Sequence, residues 1–390
     1  MITQELRTQY LLRKDITFLN FGSFGGCPKP IFNKYQDFQL ELEQEPVEFI
    51  VKTSLEYLKQ SREALGNYLN CSADDLVLVT NPSYAVNIVA KNFPLSPGDE
   101  ILTTDLEYGA CDRTFQYYCN KAGAKYVRQP ITLPLTTKEQ FVEDFFKGLS
   151  PKTKLIFISH ITSSTALRFP VEEICKKAKE KGIPTFVDGA HAPGQLPLNL
   201  GTLQADIYTG ACHKWMMAPK GCTFFYVHPT FQHLFDPLII SWGFNSTSPS
   251  HSLFLDYHQT QGTRDLSAFC TIPAVIAFMD QYNWPAVAKE CRTLTQENAL
   301  HFCKLFNSIP NSPITDDFIL QLFSIPIQTS QPIVLKDLLF EKYKIEIPVM
   351  PHENKVFLRY SIQAYNTQKD LDILTDALRD IIKTTNLIDI

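Results

Sequence analysis

From about Leu76 onward, short apolar runs alternate with longer stretches in which apolar positions recur every three to four residues. The runs are LVLV at 76–79, EILTT at 100–104, KYVRQPI at 125–131, LIFIS at 155–159, PTFVD at 184–188, DIYTG at 206–210 and TFFYV at 223–227. Nearly continuous apolar runs mark strands buried on both faces, and amphipathic stretches between them, such as VEEICKKAKEKG at 171–182 with a glycine C-cap, supply the cover. The pattern predicts an α/β protein whose large domain is a mostly parallel seven-stranded sheet between helices.

After about Gly262 the texture changes. Long helical patterns near 266–306 precede two β-like runs, FILQLFSIPI at 318–327 and KVFLRYSI at 355–362, and an amphipathic helix, KDLDILTDALRDIIK at 369–383, follows. These predict a smaller α+β domain over 262–390, joined by the N-terminal segment 1–15, with the large domain spanning 16–261. No internal repeat or low-complexity linker interrupts the chain.

Composition narrows the function classes. The 390 residues are 44% hydrophobic and 20% charged with a net charge of -5, which suits a filled core and gives no electrostatic footprint for nucleic acid. No apolar run is long enough to span a bilayer, and MITQELRTQYLLRKD lacks an apolar signal core, so the expected location is the cytoplasm. Ten cysteines without a C-x-x-C pair argue against a metal site and a disulfide framework.

In such a sheet, ligands bind beyond the carboxyl ends of the strands. PTFVD ends on Asp188 and turns through Gly189, Ala190 and His191, whereas DIYTG runs into Ala211, Cys212, His213 and Lys214. Taken alone, Asp188 reads as a helix N-cap and Lys214 as a solvated strand-end lysine. Together they offer a carboxylate that needs a cation and an amine whose apolar surroundings favour its free, nucleophilic form. Pyridoxal phosphate requires both: a lysine for its aldehyde and a carboxylate for its ring nitrogen.

The run FVDGAHAPGQLPLNLGTLQADIYTGACHKWMMAPKGCTFFYV at 186–227 resembles the pyridoxal-phosphate segment of class V aminotransferase-fold enzymes, closest to the isopenicillin N epimerase-like branch. LNFGSFG at 19–25, TNPSYAVN at 80–87, HITSSTALRFPVEEI at 160–174, QGTRDLSA at 261–268 and LRYSIQAYNT at 358–367 agree in order, so the resemblance covers nearly the whole chain. It implies a fold-type I pyridoxal-phosphate-dependent transferase fold, with Lys214 as Schiff-base lysine, Asp188 at the pyridine nitrogen and His191 facing the phenolic oxygen. Tyr108 matches the aromatic stacked on the pyridine, with plain packing as the alternative. Asn81, Ser83 and His213 match phosphate contacts, while Gly262 and Thr263 match residues reaching the phosphate from a second subunit, which implies a homodimer. For Thr263 the other reading is an ordinary N-cap.

Arg359 matches the arginine that holds the substrate α-carboxylate, or is an exposed strand arginine, and Asn20 and Gly22 match the substrate-entrance loop. His160 and Ser163 read equally as pocket or structural residues, Trp242 as pocket mouth or core, and Lys220 as a turn lysine. Two departures stand out. Pro82 removes an N–H from the phosphate loop, and Ala211 replaces a usual polar side chain.

The resemblance implies an amino-acid substrate and chemistry at its α-carbon. Epimerisation leads; carbon-sulfur lysis of cysteine or cysteine-conjugate (sulfoxide) substrates is the alternative, followed by transamination and a non-enzymatic scaffold. No cysteine follows Cys303, so the mobile cysteine of a persulfide-forming desulfurase has no counterpart.

Overall fold

The computed structural model describes residues 2–389. A two-residue strand, Thr17–Phe18 (β1), comes first. The seven predicted runs then form Leu76–Val79 (β2), Glu100–Thr104 (β3), Lys125–Gln129 (β4), Thr153–Ser159 (β5), Thr185–Asp188 (β6), Ile207–Ala211 (β7) and Thr223–Val227 (β8). They make one sheet in the order β2-β8-β7-β6-β5-β3-β4, in which only β8 runs antiparallel to its neighbours. This is the α/β architecture that the alternation of apolar runs and helices predicts.

Successive residues of each strand feed two different cores. Leu102, Ile156, Ile158, Val187 and Tyr208 pack on one side, and Ile101, Leu155, Phe157, Phe186 and Ile207 on the other. The helix Val171–Glu180 buries Val171, Ile174, Cys175 and Ala178, and Gly182 takes a positive φ of 68° just beyond it. Burial of both faces explains why the strands other than the edge strand β4, which has no buried residue, read as near-continuous apolar runs.

The C-terminal part carries a three-stranded antiparallel sheet. Its strands are Leu322–Ile327 (β9), Val349–His352 (β11) and Lys355–Ser361 (β12), in the order β11-β12-β9. Between them, Ile345–Glu346 (β10) pairs in parallel with β1, which ties the start of the chain to this region. The first core runs without interruption from the large sheet into these elements, through Leu322, Leu358 and Leu371 to Leu378. Helices Ser267–Cys270 and Ile272–Gln281 pack on the N-terminal helices Lys29–Gln44 and Ser54–Leu69.

Two details differ from the sequence pattern. Only the second half of FILQLFSIPI is strand, because Phe318 and Ile319 are buried in a turn whose amides donate to the Thr315 carbonyl at 3.0 and 2.8 Å. The pattern also missed β11, whose Pro351 is tolerated because the strand lies at the sheet edge. Among the described residues, no helix is long and apolar enough to cross a membrane.

The sheet has a switch point. From β3 the chain moves outward to β4, then returns to place β5 on the other side of β3 and continues to β6 and β7. The strand ends on either side of this divergence form a crevice. Beneath it, His160 is buried, its Nδ1 2.9 Å from the Tyr208 hydroxyl and its Nε2 without a partner.

Burial, reinforced by Arg168, pushes His160 down to about 3, and burial likewise pushes His258 down to about 4. An imidazole kept neutral in this way binds fewer protons folded than unfolded. Its contribution is complete above the unfolded value of 6.5 and is lost as pH falls toward the folded value. The thermal unfolding midpoint is therefore expected to drop between pH 6.5 and 4, with His160 alone costing on the order of 3 kcal/mol by pH 4. In His160→Gln this dependence should flatten; an identical pH profile for the variant would refute the assignment.

Candidate active site

At the switch point lies a cavity of about 200 Å³ lined by Asn81, Pro82, Ser83, Tyr108, Asp188, His191, His213 and Lys214, with Ser23 and Ser163 at another part of its wall. Five strand ends contribute to it, the first being β2, which leads to Asn81 and Ser83. β3 leads to Tyr108, β5 ends on Ser159, β6 ends on Asp188, and β7 runs into the turn that carries His213 and Lys214. The two runs that the sequence singled out thus meet in space.

Asp188 is buried and, among the described residues, has no cation within ion-pair distance. Its Oδ1 accepts from the Ala190 amide at 2.9 Å, and its Oδ2 accepts from the Cys111 thiol at 3.6 Å. Burial pushes the carboxyl up, while the Ala190 amide and the charge of Lys214 pull it back. Lys214 is enclosed by protein except toward the cavity. Burial, then the neighbouring Arg359 charge, push its amine down to about 8, against the pull of Asp188 and Cys111. Its Nζ is 3.1 Å from Nε2 of His191, and the His191 Nδ1 accepts from the Trp215 indole N–H at 3.2 Å.

The backbone around Lys214 is covered by the loop at Gly25, where φ is +67°. A Cβ at Gly25 would overlap the His213 carbonyl, so only glycine lets this loop lie against the lysine-bearing turn. Lys220, which the sequence reads as a turn lysine, donates to the Gly25 carbonyl at 3.2 Å and fastens the same loop.

The loop at 81–84 leads into the helix Pro82–Asn92. Pro82 has no N–H, and the Tyr84 N–H is already taken by the Asn81 side chain at 2.9 Å. The first turn therefore offers an anion the amide and hydroxyl of Ser83, and Asn81 acts as N-cap. His213 places Nδ1 2.9 Å from the Cys222 carbonyl, which can only accept, so Nδ1 carries the proton. Burial pushes this ring down to about 4, and among the described residues its Nε2 makes no hydrogen bond. A neutral His213 therefore presents an acceptor, and donating to a phosphate requires it to take up a proton.

Arg359, on β12, is 1% exposed. Its Nη1 donates to the Ser163 carbonyl at 2.7 Å and its Nη2 to the Ser23 hydroxyl at 3.1 Å, while Nε has no partner and no carboxylate lies within ion-pair distance among the described residues. Gly22 donates its N–H to Ser361 at 3.1 Å, and a Cβ there would overlap Leu322 and lie 3.5 Å from the Arg359 guanidinium. The exposed-arginine reading of Arg359 is thereby excluded.

Other sequence expectations fall outside the cavity wall. Asn20 turns its amide to Glu346 at 2.8 Å and accepts from Ser23, so it orders the loop. Gly262 and Thr263 are exposed on the turn after the helix Leu253–Gln259. Trp242 is 88% exposed, neither core nor cavity lining. Ser163 contributes to the wall, whereas His160 is held below it by Tyr208.

Sequence reasoning missed Ser23, Cys111, Ser159 and Glu107. Ser23 was inside a quoted motif; the others carried no separate signal. Glu107 is buried, and burial pushes it up to about 8 as it accepts from Thr104 at 2.8 Å and from the Ser159 amide at 2.9 Å.

A buried carboxylate lacking a cation, an amine lowered toward the range where its free form is accessible and an open serine at a helix start fit pyridoxal phosphate. Comparison with known proteins agrees. The chain is 30% identical to isopenicillin N epimerase of Amycolatopsis lactamdurans, covering 97% of this chain and 98% of that protein. It is 24% identical to a probable chloroplastic L-cysteine desulfhydrase of Arabidopsis thaliana, over 95% and 83%. A solved cysteine desulfurase from Thermococcus onnurineus NA1 shares the fold, with a TM-score of 0.85, 18% identity and 98% of each chain covered. Residues 28–374 match aminotransferase class-V, and the protein is a member of that family, with the fold-type I architecture and pyridoxal phosphate as its cofactor.

Proposed function

We propose that this protein removes the α-proton of an amino acid and returns it on the other face, as an isopenicillin N epimerase-like isomerase. The observation that carries the α-amino-acid reading is Arg359, a buried guanidinium without a carboxylate, close enough to Lys214 to depress its amine. Such a group calls for an anionic ligand, and an α-carboxylate held there brings the adjacent carbon toward the lysine.

When bound, pyridoxal phosphate supplies an aldehyde for amines and a ring that withdraws electrons from the α-carbon. Lys214 holds the cofactor and, once free, moves the α-proton as a general base; its burial keeps the amine in the range useful for that role. Asp188 serves the ring nitrogen, His191 the phenolic oxygen and Tyr108 the ring face. Ser83 and His213 serve the phosphate, with Asn81 shaping the loop. Asn20 and Gly22 order the entrance around Ser23 and Arg359. Gly262 and Thr263, exposed and away from their own cavity, are assigned to the cavity of a second copy in a homodimer.

The near full-length likeness to an epimerase favours isomerisation. A carbon-sulfur lyase is the second reading, favoured by the likeness to cysteine desulfhydrases. Sulfur delivery through a protein persulfide is set aside because no cysteine follows Cys303. Cys111, the cysteine in the cavity wall, turns its thiol to Asp188.

Borohydride reduction of the loaded protein should fix the cofactor to Lys214, and its recovery on Lys220 would sink the assignment. Arg359→Lys replaces a two-pronged donor by a point charge, a loss of about 1.5–3 kcal/mol. KM for the amino acid is thus expected to rise roughly ten- to hundredfold with a smaller change in kcat; an unchanged KM would overturn the carboxylate role. Finally, a panel of L- and D-amino acids and cysteine conjugates in D2O should show α-deuteration with inversion. Pyruvate formation from cysteine conjugates without inversion of any amino acid would establish the lyase instead.

A further inference from the structure

The three groups Trp215, His191 and Lys214 form a chain of hydrogen bonds whose direction is fixed at one end. An indole nitrogen can only donate. Trp215 is fully buried, packed at 5.5 Å from the ring of Phe21, and its Nε1 is 3.2 Å from the His191 Nδ1. That nitrogen must therefore accept, and the neutral ring carries its proton on Nε2. The Nε2 atom in turn is 3.1 Å from the Lys214 Nζ. With Nε2 as donor, Lys214 must offer a lone pair, which only the free amine has.

The opposite arrangement is self-defeating. A Lys214 ammonium donating to Nε2 would require the proton on Nδ1, where it would confront the indole N–H at 3.2 Å. Protonating both ring nitrogens makes the same confrontation and adds a buried cation beside Lys214, Arg359 and His213, and burial with these neighbours already holds the ring far below its ordinary range.

We propose that Trp215 is a positioning residue: its indole N–H fixes His191 as the Nε2–H tautomer and thereby holds Lys214 as the free amine that condenses with the cofactor aldehyde. The proposal rests on Lys214 being the attachment residue for its functional meaning, though not for its physical test. The charged and titratable groups facing Lys214 are His191, Arg359, Asp188, Cys111 and His213, from the turn after β6, β12, β6 itself, the helix Gly109–Ala122 and its own turn. Burial and Arg359 bias the amine toward neutrality, and Asp188 opposes them. Trp215 adds a bias that carries no charge.

The test uses the full chain without cofactor, so that its outcome is separate from the attachment experiment. Competitive acetylation across pH, read by mass spectrometry, gives the titration of Lys214. In Trp215→Phe, His191 is free to turn its lone pair to an ammonium, and the Lys214 midpoint should move alkaline by about one pH unit, the equivalent of one neutral hydrogen bond. An unmoved midpoint overturns the proposal. Should the variant not fold, nitrogen-15 spectra of the wild-type histidines, with His191 assigned by its loss in His191→Gln, decide alone. Protonated Nε2 with bare Nδ1 supports the proposal, and the reverse tautomer defeats it. If the cofactor is fixed elsewhere while both readouts hold, the relay stands and the attachment assignment falls.

Discussion

A carboxylate and an amine line one cavity, a buried guanidinium stands behind its wall on Ser23 and Ser163, and among the described residues none of the three has an opposite charge within ion-pair distance. Proteins usually avoid this, because removing an ion from water costs several kcal/mol unless a partner offsets it. Here each group is kept just tolerable. Asp188 takes an amide and a thiol, Lys214 meets a histidine, and Arg359 rests on a carbonyl and a serine. In the roles proposed above, these groups meet a ring nitrogen, an aldehyde and a carboxylate, and part of the cost of burial is then offset only on binding.

The fold makes this possible by delivering each group from a rigid strand end. β6 and β7 are adjacent and parallel, which brings Asp188 and Lys214 to the same edge of the sheet from runs separated by a whole crossover. The second layer then sets chemical state rather than position: Cys222 decides which nitrogen of His213 is free, and Trp215 decides the same for His191. Both decisions are made by groups with a single hydrogen-bonding sense, a carbonyl and an indole N–H.

The sheet was legible because most of its strands are buried on both faces, Asp188 and Lys214 because they follow strands, and Tyr108 and Ser83 through the motifs that carry the family resemblance. What escaped depends on pairing across long distances in sequence. Nothing near Ser23 announces that it meets Arg359, and nothing in HKW tells that the tryptophan reaches back to His191. Trp242 misled because an aromatic beside glycine reads as either pocket or core, whereas it is exposed on a loop. Gly262 and Thr263 were drawn by motif alone, and one chain's geometry brings neither to its own cavity.

Arg359 is fastened to Ser23 across 336 positions of sequence, so a late strand and an early loop meet behind one wall of the cavity. Asn81, Ser83, Tyr108, Asp188, His191, His213 and Lys214 are all made earlier than Arg359 during synthesis. The order of residues along the chain is thus also an order in time: in the proposed roles, the groups suited to the cofactor leave the ribosome first and the guanidinium assigned to the substrate carboxylate follows them. On that assignment, a nascent chain cannot hold substrate before β12 has folded back onto the loop at Ser23.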